Sequence, residues 1–367
     1  MDARFEQAKT FFLEGLAHYR AGRYEAAERD FSASLALVPG RPSTLTNLGA
    51  TRLKLGRVDE ATSLLQEALR QEPDNAEALG HLAAALAEAG EHESALAAVS
   101  RALDLSPGNG AAWSLRGTLA RELGRREEAA AAYRQALAHG ADRQLTAYYL
   151  AGVANENAPP AAPPRQYVEQ LFDAYAQDFD LHLAGRLQYR APQILVDGLD
   201  TPRFRSALDL GCGTGLCGPL LRPRVDRLEG VDLSAAMVER ARGSGFYDEV
   251  AQADIAEFLE STPRRHDLLI AADVFIYVGA LERVFDGAAR VLDPGGAFCF
   301  SLEAADERES FALRMSLRYA HSERYIRTLA AQRGFELQAT ARHPLRIDQG
   351  QPVAGLFAWL RKAGSPA

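Results

Sequence analysis

Three series of residues recur at one interval along the first 140 positions. Pro39, Pro73 and Pro107 are 34 apart, as are Gly22, Gly56, Gly90 and Gly124, and Ala27, Ala61, Ala95 and Ala129. A fixed period of this length dictates a stack of identical supersecondary units, each contacting its neighbours. The glycine divides every unit into two helix-length segments, residues 43–55 and 58–71 in the second, with apolar residues at three- and four-residue steps. Glycine ends the first helix, alanine lets the two helices approach, and proline opens the next unit. The expected unit is an antiparallel helix hairpin, repeated four times.

Trp113, Leu48, Gly15, Gly49, Gly117, Phe31 and Tyr133 complete a signature over residues 8–141 that resembles tetratricopeptide repeats. The resemblance implies an all-α solenoid whose concave groove takes a peptide or protein partner. A solubilising or dimerising scaffold is the alternative. Ala141 stands where the fourth unit would have its closing proline, so a helix over residues 143–154 is expected to end the array. First-helix residues expected on the groove side, such as Lys9, Tyr19, Lys54, Glu88 and Arg121, are mixed in sign. They form no basic clamp and name no ligand.

The chain's 367 residues exceed one ordinary core. Its 41 basic and 49 acidic side chains give a net charge of −8 without a basic stripe, which argues against nucleic acid as a partner. Residues 1–6 are charged and no eighteen apolar residues run together, so a cytoplasmic protein without a membrane span is expected. Cys212, Cys217 and Cys299 belong to no cluster with zinc-ligand spacing and read as packing residues, with no metal site. Residues 157–164, Asn-Ala-Pro-Pro-Ala-Ala-Pro-Pro, cannot continue a helix. The expected organisation is a repeat domain over 1–156, a proline-rich linker over 157–164 and a second domain over 165–362.

From residue 207 onward the pattern changes to short apolar runs, 207–210, 227–231, 268–271 and 297–302, alternating with helix-length segments. Alternation of this kind predicts βαβ units and a doubly wound α/β sheet. The first run leads into Asp209-Leu-Gly211-Cys-Gly213-Thr-Gly215, a glycine turn at a strand's carboxyl end, where a ligand can approach the backbone. Gly213-x-Gly215-x-x-Gly218 also satisfies the dinucleotide fingerprint, so a nicotinamide-dependent reductase is a rival. Against it, Asp209 would repel a pyrophosphate and suits an ammonium group. Asp232 ends the second strand, placed for ribose hydroxyls in either case. Downstream, Asp254 offers a carboxylate to an adenine amino group, and Asp273 ends the fourth strand.

Those segments, with Leu292-Asp-Pro-Gly-Gly296, resemble the class I S-adenosylmethionine-dependent methyltransferases over about 200 residues. Repeats followed by such a domain resemble a bacterial family of tetratricopeptide-containing methyltransferases. The resemblance implies a Rossmann-like domain with S-adenosylmethionine as cofactor. It puts Asp209, Gly211, Gly213 and Gly215 near the methionine part, Asp232 at the ribose, Asp254 and Ile255 at the adenine, and Asp273 at the methionine end. A leading segment over 167–192 would close over the cofactor, with Tyr175 against it and Tyr189 and Arg190 toward the acceptor. Tyr175, Phe179 and His182 could equally form a packed face, and Asp254 a helix cap.

The methyl of a sulfonium is already activated, so transfer needs positioning of an acceptor lone pair, with a base where the acceptor is protonated, and no metal. Asp273-Val-Phe-Ile-Tyr277 lacks the prolines and aromatic of amide and adenine amino methyltransferases, which disfavours those acceptors. Residues 314–325 are expected to roof the acceptor site through Arg318, Tyr319 and His321. His321 is the candidate base, or else it simply precedes a helix over 323–332 capped by Ser322. Arg190, Arg318 and Arg346 could hold a carboxylate or phosphate. A catalytically inactive cofactor fold, acting as an adaptor through its repeats, is the alternative function.

Overall fold

The computed structural model describes residues 3–154, 159–175, 189–348 and 351–364, without the side chains of residues 174, 175 and 348. It divides into two compact units, Met1–Glu156 and Asn157–Ala367.

The first unit is a run of antiparallel helix pairs: α1 (Ala3–Arg20) with α2 (Tyr24–Leu37), α3 (Pro42–Lys54) with α4 (Val58–Gln71), α5 (Ala76–Glu88) with α6 (His92–Leu105), and α7 (Gly110–Glu122) with α8 (Arg126–Ala138). Helix α9 (Arg143–Val153) follows. The glycines between paired helices, Gly22, Gly56, Gly90 and Gly124, all adopt a left-handed φ between 71° and 78°. A side chain there would meet no atom within 4 Å. The requirement is therefore for the backbone conformation and not for space. Asn75 and Asn109, 34 apart, cap α5 and α7 by accepting from Ala78 N and Ala112 N.

Inside each pair one contact repeats with compensated volumes. A Cβ on Gly15, Gly49 or Gly117 would lie 2.7, 2.8 or 2.6 Å from the side chain of Phe31, Leu65 or Tyr133, respectively. In the third unit the large partner shrinks to Val99, and Ala83 takes the glycine's place, both fully buried in one cluster. Close packing leaves no room for the sum of the two volumes to drift.

The second unit begins with α10 (Arg165–Tyr175) and α11 (Ala191–Asp197). Strands β1 (Phe204–Leu210), β2 (Val225–Asp232), β3 (Glu249–Gln252), β4 (His266–Ala271) and β5 (Leu292–Ala304) form a parallel sheet in the order β3-β2-β1-β4-β5. Short helices α12 (Gly218–Leu221), α13 (Ala235–Gly243), α14 (Ile255–Ser261) and α15 (Glu282–Val291) connect them. Beyond β5, the hairpin of β6 (Phe311–Leu313) and β7 (Tyr319–His321) extends its carboxyl end, and α16 (Glu323–Gln332) leads to β8 (Phe335–Asp348) and β9 (Gln351–Lys362). Strand β9 pairs antiparallel with both β5 and β8. This is the doubly wound, Rossmann-like α/β fold that follows an all-α repeat array.

One face of the sheet buries Leu208, Leu210, Val231 and Phe298 against α14, α15 and α16. The other buries Ala207, Leu228, Ile270 and Phe357 against α11 and α12. The alternation along each strand explains both apolar faces. The β8–β9 hairpin continues to pair with itself past Glu303↔Gly355, where β9 leaves β5.

Two residues of the proline segment are integral to this second unit. Pro160 O accepts from Tyr319 Oη at 2.9 Å, and Ala161 O from Ala280 N at 2.8 Å. Among the described residues no helix is long and apolar enough to cross a membrane.

Candidate functional site

The carboxyl ends of β1, β2, β4 and β5 lie along one edge of the sheet, and the chain reverses there through glycines. Gly211, Gly213 and Gly215 have φ of 64°, 53° and 96°, the left-handed region closed to most residues. A Cβ on Gly211 would lie 2.6 Å from Val274. Cys212 N donates to Val231 O at 3.0 Å, so the loop is tied back to β2.

Asp209, on β1, is 1% exposed. Its Oδ2 accepts from Tyr247 Oη at 2.7 Å, and the Cys217 thiol lies beside it. Burial raises its carboxyl to about 7, against the pull of the tyrosine and thiol donors. A carboxyl poised there ionises readily when a cation arrives. Tyr247 reaches it because Gly215, Gly218 and Gly230 lack side chains. A Cβ on any of the three would come within 3.1 Å of the Tyr247 ring. Sequence reasoning missed Tyr247, and Gly218, the last glycine of the dinucleotide fingerprint, faces Phe246 and Tyr247.

Asp232, at the tip of β2, is held by both oxygens. Oδ2 accepts from Gly213 N at 2.8 Å and Oδ1 from Ser234 N at 2.9 Å. Each oxygen keeps a second lone pair for a ligand hydroxyl. Burial raises its pKa while those N–H groups oppose the rise. Next to it Asp173 of α10, which sequence reasoning gave no role, accepts from Ser234 Oγ at 2.5 Å. Helix α10 is thereby pinned to the tip of β2.

Asp254 is the N-cap of α14: its Oδ1 accepts from Ala256 N and Glu257 N at 2.9 and 3.1 Å. The helix-cap reading thus holds for that oxygen. Ile255 beside it is 8% exposed and joins the core under β2.

Asp273 has φ 59°, a left-handed conformation that aspartate tolerates better than most residues. Its N–H donates to Ser301 Oγ at 2.8 Å. Both carboxylate oxygens face Arg346 Nη1, at 3.2 and 3.1 Å, and Arg346 Nη2 donates to Glu303. Burial raises the Asp273 pKa, with Arg346 opposing. Arg318 lies near Tyr277, Glu303 and Asp273, whose attraction raises its pKa despite burial. Tyr189, near Asp273, Cys217 and Asp209, has its phenol pushed well up by burial.

The structure therefore brings Tyr189, Arg318 and Arg346 to one end of the site, around Asp273. It does not do so for three other candidates. His321 is fully buried, its Nε2 donating to Gly279 O at 2.8 Å and its ring stacked on Tyr325. Burial depresses its pKa to about 4. An enclosed imidazole with that basicity is not placed to take a proton from an acceptor, so its reading as a base is replaced by a packing role. Tyr319, also fully buried, spends its hydroxyl on Pro160 O. Arg190 is exposed at the start of α11. Phe179 and His182 and the side chain of Tyr175 lie outside the described residues. Among the described residues no His, Cys, Asp and Glu cluster could hold a metal ion.

Models of known families match both units. Residues 208–300 match a methyltransferase domain, and residues 18–86, 52–119 and 114–163 match tetratricopeptide repeats. The chain is 32% identical over 146 residues to malonyl-[acyl-carrier protein] O-methyltransferase of Enterobacter lignolyticus (strain SCF1), covering 39% of this chain and 57% of that protein. It is 36% identical over 104 residues to trans-aconitate 2-methyltransferase of Paracidovorax citrulli (strain AAC00-1), covering 28% and 39%. The chain thus spans about half the length of the curated relatives it matches. Among solved structures, N-methyltransferase NodS from Bradyrhizobium japonicum WM9 with S-adenosyl-L-homocysteine aligns at TM-score 0.44 and 21% identity, over 53% of this chain and 97% of that one.

Proposed function

The chain joins tetratricopeptide repeats to a class I S-adenosylmethionine-dependent methyltransferase domain, and on that premise we propose that it methylates an oxygen of an acceptor recruited by the repeats. The observation that carries the cofactor part is Asp232, whose carboxylate is oriented by the N–H groups of Gly213 and Ser234 with a lone pair left on each oxygen. When bound, the cofactor supplies a methyl group activated on a sulfonium. Asp232 accepts the two ribose hydroxyls, Asp209 ionises against the ammonium group, and Asp254 and Ile255 flank the adenine. Asp273 orders the methionine end, and Tyr189 and Arg318 close the acceptor side.

Oxygen as the accepting atom is supported by likeness to proteins named O-methyltransferases, one of them for a malonyl group on an acyl-carrier protein. A protein-tethered acceptor would also account for the repeats, because a binding array in the same chain raises the local concentration of whatever it holds. A free small molecule needs no such array. Calorimetry of the full chain with S-adenosylhomocysteine and with NADH tests the cofactor: binding of the first alone is expected. Binding of neither would favour an inactive adaptor.

A further inference from the structure

We propose that the acceptor presents a carboxylate, seated on Arg346 and Arg318, and that this carboxylate takes the methyl group on oxygen. The proposal rests on the methyltransferase reading above and names its substrate class. Arg346 is 3% exposed. Two of its nitrogens serve Asp273 and Glu303, but its Nε is buried with no hydrogen-bond partner. A buried charged donor left unmatched is costly and marks a position where an acceptor atom belongs.

Further guanidinium groups lie around it. Glu303, 4% exposed, and Asp273 are the carboxylates. Facing them are Arg346, Arg318 and Arg314, whose Nε lies 3.9 Å from Glu303 Oε2. Arg346 and Arg318 thus both lie near Asp273 and Glu303. The planar fork of arginine matches a carboxylate.

The chemistry agrees with the residues present. A carboxylate is ionised near neutral pH, so no base has to remove its proton, and His321 is enclosed away from any acceptor. A lone pair on the carboxylate oxygen attacks the methyl carbon, and the carbon–sulfur bond breaks with its electron pair staying on sulfur. The products are a methyl ester and S-adenosylhomocysteine. The negative charge of the acceptor and the positive charge of the sulfonium cancel, and no proton moves. A hydroxyl or amine acceptor would have to shed a proton in the course of transfer, and a carboxylate does not.

The test uses the full chain, methyl-labelled S-adenosylmethionine and total cell extract, followed by mild alkali. Carboxylic methyl esters release volatile labelled methanol, whereas N-, S- and C-methyl groups, ethers and phosphate diesters keep their label. Release of most of the transferred label is the expected result, and base-stable label would overturn the proposal. Calorimetry with S-adenosylhomocysteine runs alongside. Failure to bind it would sink the methyltransferase reading itself, while binding with base-stable label would sink only the carboxylate. With the extract as acceptor, Arg318→Gln should raise KM at least tenfold without changing affinity for S-adenosylhomocysteine, and Arg346→Lys should also raise KM at least tenfold. At saturating S-adenosylmethionine, where the Asp209-dependent change in cofactor affinity drops out, the wild-type rate should show no limb near pH 6.5, where a histidine base would titrate. Unaltered KM in both variants, or such a limb, would also overturn it.

Discussion

Gly117 and Asp232 mark the two ways in which this chain uses its residues. Gly117 makes room for Tyr133, and the same decision recurs at Gly15 with Phe31, Gly49 with Leu65 and Ala83 with Val99. Each is made between neighbouring helices and has counterparts one period away. Asp232 has no counterpart. It bonds Gly213 and Ser234, and Arg346 bonds Asp273 and Glu303 across 73 and 43 residues of sequence. A stack of repeats spreads its stability over equivalent contacts, whereas a site assembled from four strand ends concentrates its function in single residues.

The sharpest challenge to that contrast is Asp232→Ala. Two charge-assisted hydrogen bonds to the cofactor, about 1.5–3 kcal/mol each, would be lost. Calorimetry should show affinity for S-adenosylhomocysteine falling by about a hundredfold or more. Thermal unfolding of the repeats should be unaffected, and a normal affinity would remove Asp232 from the site.

In the array, Gly117→Ala forces a Cβ to 2.6 Å from the Tyr133 ring, overpacking that costs about 1–3 kcal/mol. Scanning calorimetry should report a lower melting temperature for the repeats with cofactor affinity unchanged. Adding Tyr133→Val should return part of the loss, because Ala83 and Val99 already use that combination. No recovery would show that the volume compensation is coincidental.

Asp209 sharpens the comparison through pH. Its carboxyl, raised to about 7, is largely neutral at pH 6 and ionised at pH 8. If only the ionised form receives the ammonium group, affinity for S-adenosylhomocysteine should tighten about tenfold from pH 6 to pH 8. Asp209→Asn should flatten that profile, and a profile unchanged in the variant would assign the ammonium group elsewhere.

The smallest effect is expected from deleting residues 1–156. With Pro160 and Ala161 retained, cofactor affinity should change by no more than about twofold, since the two units hold separate cores. A larger loss would mean that the site depends on the repeats directly.

Much of the fold was legible because it is local or repeated. The 34-residue period set the helix pairs, the glycine series set their turns, and Ser322 reads as the cap of α16 in both sequence and structure. Alternating apolar runs marked the strands, and a strand followed by glycines or an aspartate marked its carboxyl end at Asp209, Asp232 and Asp273. What tertiary structure alone decided are the partners: Tyr247 on Asp209, Asp173 on Ser234, Arg346 between Asp273 and Glu303, and the enclosure of His321 beneath Gly279. Periodicity assigns a side chain to a face of a helix or strand, but it carries no information on which distant segment covers that face. Those choices follow from packing the crossover helices and the extended β8–β9 hairpin against one sheet, where close packing and hydrogen-bond satisfaction must be met together.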